Sequence, residues 1–223
     1  MGKPDIIYED NDIIVCYKPA GIATQTRRIG QQDMESFIRN YRAAKNEPPY
    51  VGIVHRLDQP VEGVMVFAKN QKAAASLSRQ IKEHTTEKYY RAASRGQGVS
   101  GADKEEDNKE DNHDPAWHTL TDYISFDKRT NTSKITSEKD RLAKKAVLQY
   151  RILSNECNKT EFDIKLLTGR HHQIRLQLAN IGYPLIGDTK YGGETAREQL
   201  ALCSYKIVFD HPATGERLTF ELP

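Results

Sequence analysis

The sequence predicts an α+β fold: a mostly antiparallel mixed sheet with flanking helices. Three observations carry that expectation. Short apolar or alternating runs outnumber helical ones, strand and helix patterns do not alternate with βαβ regularity, and hairpins with compact turns stand at both ends of the chain. No internal repeat is visible.

The elements follow in chain order. Asp5-Ile6-Ile7-Tyr8 and Ile13-Ile14-Val15-Cys16-Tyr17 flank the turn Glu9-Asp10-Asn11-Asp12, and Lys18-Pro19-Ala20-Gly21 stops the second strand. From Asp33 to Ala44, Met34, Phe37, Ile38 and Tyr41 recur at helical spacing until Glu47-Pro48-Pro49. Val64-Met65-Val66-Phe67-Ala68 is apolar at every position, as a strand buried on both faces is. Asn70 is a good N-cap for a helix running to about His84, with Ala73, Ala74, Leu77 and Ile81 on one face. Strands are expected at Tyr89–Ala93, Tyr123–Phe126, Ala146–Leu153 and Glu161–Leu167. Thr168-Gly169 turns the chain into a helix over His172–Ile181, ended by Gly182. Tyr205–Phe209 and Leu218–Leu222 close the chain as a hairpin around His211-Pro212-Ala213-Thr214-Gly215.

The 223 residues suffice for one sizeable core, and the reading takes 1–223 as a single domain. Residues 96–114 have no apolar periodicity and are expected to form a mobile acidic insertion. Within it, Ala102–Asp114 carries a net charge of −5, which leaves +7 on the rest of a chain whose total is +2. A basic body is compatible with a phosphate-rich partner, and equally with a nearly neutral enzyme carrying a solubilising loop. No apolar run approaches the roughly 20 residues of a membrane span. The start MGKPDIIYED has no hydrophobic signal core, and Cys16, Cys157 and Cys203 form no CxxC pair, so the expected compartment is a reducing cytoplasm.

The common chemistries thin out quickly. The chain has no GxxxxGK[ST] and no GxGxxG, so no nucleotide cofactor is expected. His171-His172 has no third ligand at metal spacing, and Gly-x-Ser-x-Gly is absent. Two polar clusters remain. In the first, His55-Arg56-Leu57-Asp58, an aspartate is most often a turn residue or an ion-pair partner. The alternative is a carboxylate that an arginine keeps ionised, suited to a reaction in which positive charge develops at an anomeric carbon. In the second, Thr168-Gly169-Arg170-His171-His172-Gln173-Ile174-Arg175, a helix start offers backbone N–H groups to anions. Here the expected helix presents cations and amides on one side, with Arg175 one turn after His171, and packs Ile174 and Leu178 on the other. The blander reading of this segment is an ordinary helix with a solvated face.

Read together, the clusters resemble the RluA family of RNA pseudouridine synthases. IIYEDNDIIVCYKPAGI resembles that family's N-terminal hairpin. VHRLDQPVEGVMVFAKN resembles its catalytic segment, HRLD followed by Thr-Ser-Gly, an apolar strand and Ala-Lys-Asn. TGRHHQIRLQLANIGYPLIGDTKYGG resembles its TGR-Thr-HQIR helix with the Gly-His-Pro, Gly-Asp and Tyr-Gly run that follows. Only residues 95–145 or so fall outside these matches.

The sequence leaves no room for the S4-like domain that many relatives carry, and a monomer is expected. The resemblance implies a pseudouridine synthase catalytic fold acting on structured rRNA or tRNA and needing no cofactor. It assigns Asp58 as the catalytic carboxylate, Arg175 as the basic residue paired with it, and Tyr90 as the ring that stacks on the target base. Arg56 would hold the extruded nucleotide, with His55, Arg170, His172, Gln173 and Lys69 as further RNA contacts, and Leu57, Ile174 and Leu178 would line the pocket. A uridine in folded RNA must be extruded to be reached, which calls for a stacking ring and for cations on the flanking phosphates.

The chain departs from the family pattern at Val61-Glu62 for Thr-Ser, His171 for Thr, Gln177 for His, and Leu202-Cys203-Ser204 for Leu-His-Ala. Asp58, Tyr90 and Arg175 are all retained. The rival readings are an RNA-binding homologue without turnover, and a small-molecule glycosidase, which would need a second carboxylate.

Overall fold

A computed structural model describes residues 4–26, 30–95, 115–156, 158–192 and 198–223 of the chain. The expected insertion at 96–114 lies outside the described residues. The chain forms two compact units, Met1–Tyr89 with Cys203–Pro223, and Tyr90–Leu202.

The first unit begins with the expected hairpin, β1 (Asp5–Glu9) and β2 (Ile13–Lys18). Asp10 makes its turn: one carboxylate oxygen accepts the Asp12 and Ile13 N–H groups at 2.7 and 2.8 Å. β2 pairs antiparallel with β4 (Glu62–Ala68), against which the short β3 (Gly52–Ile53) also lies. β10 (Leu202–Asp210) runs parallel to β4 and antiparallel to β11 (Arg217–Glu221). The order is therefore β1-β2-β4-β10, with β11 against β10.

Alternate residues of β2 and β4, namely Ile13, Val15, Val64, Val66 and Ala68, join Ala73, Leu77, Ile207 and Phe209 in one core. Ile14, Cys16, Met65 and Phe67, on the opposite face, are also buried. Both strands are covered on both sides, which is why each reads as an unbroken apolar run.

Two helices complete this unit. α1 (Met34–Ala44) starts at a capping box in which Asp33 accepts the Ser36 N–H and Ser36 Oγ accepts the Asp33 N–H. α2 (Gln71–Lys82) starts at Asn70, whose side chain accepts the Ala73 N–H at 2.9 Å.

β5 (Glu87–Ser94) carries the chain into the second unit, where the order is β5-β9-β8-β6-β7. Here β6 (His118–Asp127), β7 (Thr132–Thr136), β8 (Lys144–Glu156) and β9 (Lys159–Leu166) pair antiparallel, with β7 and β8 on opposite sides of β6 and β9 beyond β8. Leu148, Tyr150, Phe162, Ile164, Tyr183 and Leu185 are buried, and Phe162 meets Tyr183 edge-on at 5.1 Å. The third helix among the described residues is α3 (Gln173–Asn180). The strands of this unit extend beyond their apolar runs because ladder pairing continues into polar residues. β3 and β7 escape the sequence pattern, the first being only two residues long and the second, TSKIT, half polar.

Gly63 shows how tightly β4 and β10 meet. Its φ is +134°, and a Cβ there would lie 2.2 Å from the Ser204 carbonyl oxygen and 2.6 Å from its nitrogen. Both obstacles are backbone, so neither can rotate away. Gly63→Ala is expected to cost more than about 3 kcal/mol in chemical denaturation. Gly215→Ala, at φ +76° with nothing within 4 Å of the new carbon, should cost only about 1 kcal/mol.

Candidate active site

The segment between β3 and β4 carries Asp58, and three separate anchors hold it. Thr24 Oγ1 accepts the Leu57 N–H at 3.1 Å and donates to the Leu57 carbonyl at 3.0 Å, so one hydroxyl satisfies both backbone groups of a buried residue. The Val61 N–H donates to the Asp58 carbonyl at 3.0 Å, closing a tight turn through Gln59-Pro60. Gln59 and Gly21 exchange two bonds, at 2.8 and 2.9 Å.

Beneath the turn lies Lys18, a lysine with no exposed surface. Its ammonium donates to the carbonyls of Pro19 at 3.1 Å, Ile22 at 2.6 Å and Gln59 at 3.2 Å. All three protons therefore find backbone acceptors, and the Gln59 carbonyl takes this bond in addition to the Gly21 N–H. Burial pushes the Lys18 pKa down to about 8, and the Asp58 and Glu62 carboxylates pull it back up. Sequence reasoning missed Lys18, since a lysine closing an apolar strand before Pro-Ala-Gly looks like an exposed strand end.

The other residues expected from this unit divide. Arg56 is exposed and donates to Gln25 Oε1 at 3.0 Å. His55 has Nε2 as acceptor of the Val66 N–H at 3.1 Å, and burial, aided by Lys88, pushes its pKa down to about 3. It is a neutral brace for β4. Lys69 is bound into ion pairs with Glu9 at 2.8 Å and Glu47 at 3.0 Å, its side chain only 8% exposed. Its charge is answered within the fold. Glu62, the departure from Thr-Ser-Gly, accepts the Tyr17 hydroxyl at 2.8 Å.

The second unit holds Tyr90 and the 168–191 segment. Tyr90 is buried. Gln173 Oε1 accepts the Thr168 hydroxyl at 2.8 Å and the Arg170 N–H at 3.0 Å, so this glutamine braces the turn it follows. Arg170 Nε donates to the Lys145 carbonyl at 2.8 Å. His172 caps α3 in the left-handed conformation, φ 53°, with Nδ1 2.9 Å from the Tyr191 hydroxyl. Burial, then Arg175, pushes its pKa down to about 3. His171 stacks on His172 with ring centres 3.7 Å apart, and its carbonyl accepts the Ser133 hydroxyl at 2.9 Å.

Arg175 is buried and grips Asp188 with two bonds of 2.7 Å, through Nε and Nη2. Burial alone would raise the Asp188 carboxyl. The guanidinium overrides that and holds it below its ordinary value, helped by the N–H groups of Lys190 and Tyr191. The Tyr191 ring centre lies 5.3 Å from the guanidinium carbon. Asp188 and Tyr191 were visible only inside the Gly-Asp and Tyr-Gly run, with no local signal of what they touch.

The expected division of α3 into a cationic face and an apolar face does not hold. His171 precedes the helix, so it shares no helical face with Arg175, and Gln173, Arg175 and Gln177 are as buried as Ile174 and Leu178. Gln177 reaches Asp122 at 2.7 Å. Each of these side chains makes internal hydrogen bonds, although Gln173 Nε2 and Gln177 Oε1 have no partner among the described residues; from sequence alone the pattern is indistinguishable from a solvated face.

One grouping among the described residues has metal-ligand geometry: Asp10, Asp12 and His211 bring ligand atoms within 4.8 Å of one another. Both nitrogens of His211 are already engaged, Nε2 with Asp10 at 2.8 Å and Nδ1 with the N–H groups of Ala213 and Thr214. The cluster clasps two hairpin turns.

The Lys18 site predicts its own titration. Its folded pKa lies below the ordinary 10.5, so burial costs stability at neutral pH, and the cost is relieved as pH rises through about 8. NMR of the Nζ-labelled chain, assigned by Lys18→Met, should show this lysine titrating near 8. A midpoint near 10.5 would mean the ammonium is solvated.

Comparison with known proteins matches this architecture. The sequence profile of the family described as RNA pseudouridylate synthase covers residues 12–180. An RNA pseudouridine synthase of Bacillus subtilis, YhcT, itself described as uncharacterised, is 32% identical over 226 residues, 100% of this chain and 69% of the relative. Ribosomal large subunit pseudouridine synthase D of Vibrio cholerae is 32% identical over 240 residues, 98% of this chain and 67% of the relative. The solved structure of human RNA pseudouridylate synthase domain containing 4 shares the fold, with a TM-score of 0.73 at 20% identity over 98% of this chain and 88% of that one. The profile spans most of the chain, the two bacterial relatives align along nearly all of it, and the chain belongs to the RNA pseudouridylate synthase family of isomerases.

Proposed function

We propose that this chain converts uridine to pseudouridine in structured ribosomal or transfer RNA, with Asp58 as the catalytic carboxylate. The observation that carries the proposal is the support given to the Asp58 turn. Thr24 fixes the residue before it, Lys18 fixes the carbonyl after it, and the Val61 N–H closes it. A turn built only to connect two strands needs no buried ammonium beneath it.

The reaction is an isomerisation whose atoms balance without an outside reagent. The N1–C1′ bond breaks and its electron pair leaves with the uracil. The ring turns, C5 bonds to C1′, the C5 proton departs, and N1 gains a proton. Charge develops on both fragments at the first step. An ionised carboxylate serves there by bonding to carbon or by steadying a cationic centre. Tyr90 is assigned to the base and Arg56 to the extruded nucleotide. Arg175, held in orientation by Asp188, is assigned as the basic partner of the catalytic carboxylate. Lys69 and His55 have no part in phosphate binding in this proposal, because their polar groups serve the fold. The name of the Vibrio cholerae relative makes large-subunit ribosomal RNA the first substrate to try.

The test is tritium release from RNA labelled at uracil C5 and isolated from cells lacking this gene. The wild-type chain should release tritium, and Asp58→Asn should be slower by at least about a thousandfold. Equal rates would remove Asp58 from the mechanism. No release by either chain, on RNA that both bind, would leave an RNA-binding homologue without turnover.

A further inference from the structure

Trp117 is the single tryptophan of the chain, and the proposed reaction gives it no task. It immediately precedes β6 and has 39% of its surface exposed. The Arg151 guanidinium lies over its ring, 4.9 Å from the centre. That guanidinium is itself fixed, since Nε and Nη2 both donate to one oxygen of Asp163, at 3.1 and 2.9 Å, and Asp163 is 2% exposed. Arg91 approaches the same oxygen at 3.7 Å with its side chain 46% exposed.

The ladder registers place these residues on one face. Arg151 pairs with Asp163, Gln149 with Lys165 and Thr119 with Gln149, while the intervening Tyr150 and Ile164 point into the core. The outward face of β5, β9, β8 and β6 therefore carries Arg91, Arg151 and Lys165 around the buried Asp163, with an indole at its margin. Glu161, further along β9, pairs with Lys159 at 2.5 Å and also feels the charge of Arg91. An excess of cations beside a half-exposed ring complements a polyanion whose subunits have flat faces.

We propose that this sheet face is a second RNA contact, in which an unpaired base stacks on the Trp117–Arg151 pair while Arg91 and Lys165 meet the adjoining phosphates. The inference rests on the proposed function, since it takes RNA as the substrate. Aromatic rings and guanidinium planes both stack on nucleobases without regard to sequence. A guanidinium already held over an indole by Asp163 loses little freedom when a base is added. The contact would hold single-stranded RNA and would not choose the uridine.

The lone tryptophan is its own reporter. Wild-type chain is titrated with unlabelled decauridylate while indole emission is followed. Binding is measured separately by the anisotropy of the 5′-fluorescein-labelled oligomer, and inorganic polyphosphate serves as a probe of charge alone. Emission should be quenched with the midpoint that anisotropy gives, and polyphosphate should not quench it. Trp117→Leu should weaken RNA binding about tenfold with an unchanged salt slope, and Trp117→Phe should stay near wild type. RNA binding without quenching and with Trp117→Leu at wild-type affinity would overturn the stacking contact and leave the proposed function standing. Equal quenching by polyphosphate would overturn stacking in favour of charge. No RNA binding by the wild-type chain would overturn both proposals.

Discussion

A lysine ammonium withdrawn from water is costly unless every proton finds an acceptor, and at Lys18 every proton does. The three carbonyls that receive it come from two stretches of chain, Pro19 and Ile22 just after β2, and Gln59 beside Asp58. The bond is thus a clasp between the first hairpin and the segment that leads into β4. Two nearby carboxylates, Asp58 and Glu62, favour the charged form against burial. The arrangement is self-consistent only while the ammonium is charged and its acceptors stay in place. The same bonds that stabilise this corner of the fold therefore also position the carboxylate.

The rest of the first unit leads up to that corner. β4 delivers its first residues against β10 so closely that Gly63 has no room for a side chain. Thr24 approaches from the segment before α1 to hold Leu57. Glu62, which replaces a small hydroxyl residue of the family pattern, is half-buried and engaged, because Tyr17 donates to it. In the second unit the same principle recurs with the charges exchanged: buried Arg175 is fixed by buried Asp188, and Tyr191 lies beside both. A buried pair of this kind is a poor source of net stability and a good means of fixing one orientation.

Much of this was legible in the sequence where the signal is local. Asn70 and Asp33 announce their helices, Gly215 its turn, and the doubly buried β2 and β4 show as apolar runs. The identities of Asp58, Tyr90 and Arg175 as residues to watch came from motifs, which are also local. What sequence hid is non-local. Lys18 and Gln59 lie far apart in the chain, as do Gln177 and Asp122, and nothing near either member marks its partner. α3 shows the cost most clearly. Buried polar residues that bond within the fold have the same spacing as a wet helical face, so periodicity alone assigned them to solvent. His55 and Lys69 misled for the same reason, as cationic residue types whose polar groups the fold has already engaged.

The central claim is that the Lys18 clasp positions Asp58 for the chemistry and does more than hold the chain together. The most direct measurement is the single-turnover rate of isomerisation at saturating RNA in folded Lys18→Met. The account predicts a rate lower by about a hundredfold, the scale of a small displacement of a catalytic group, with RNA affinity within about twofold of wild type. A folded Lys18→Met chain that turns over at the wild-type rate would contradict it.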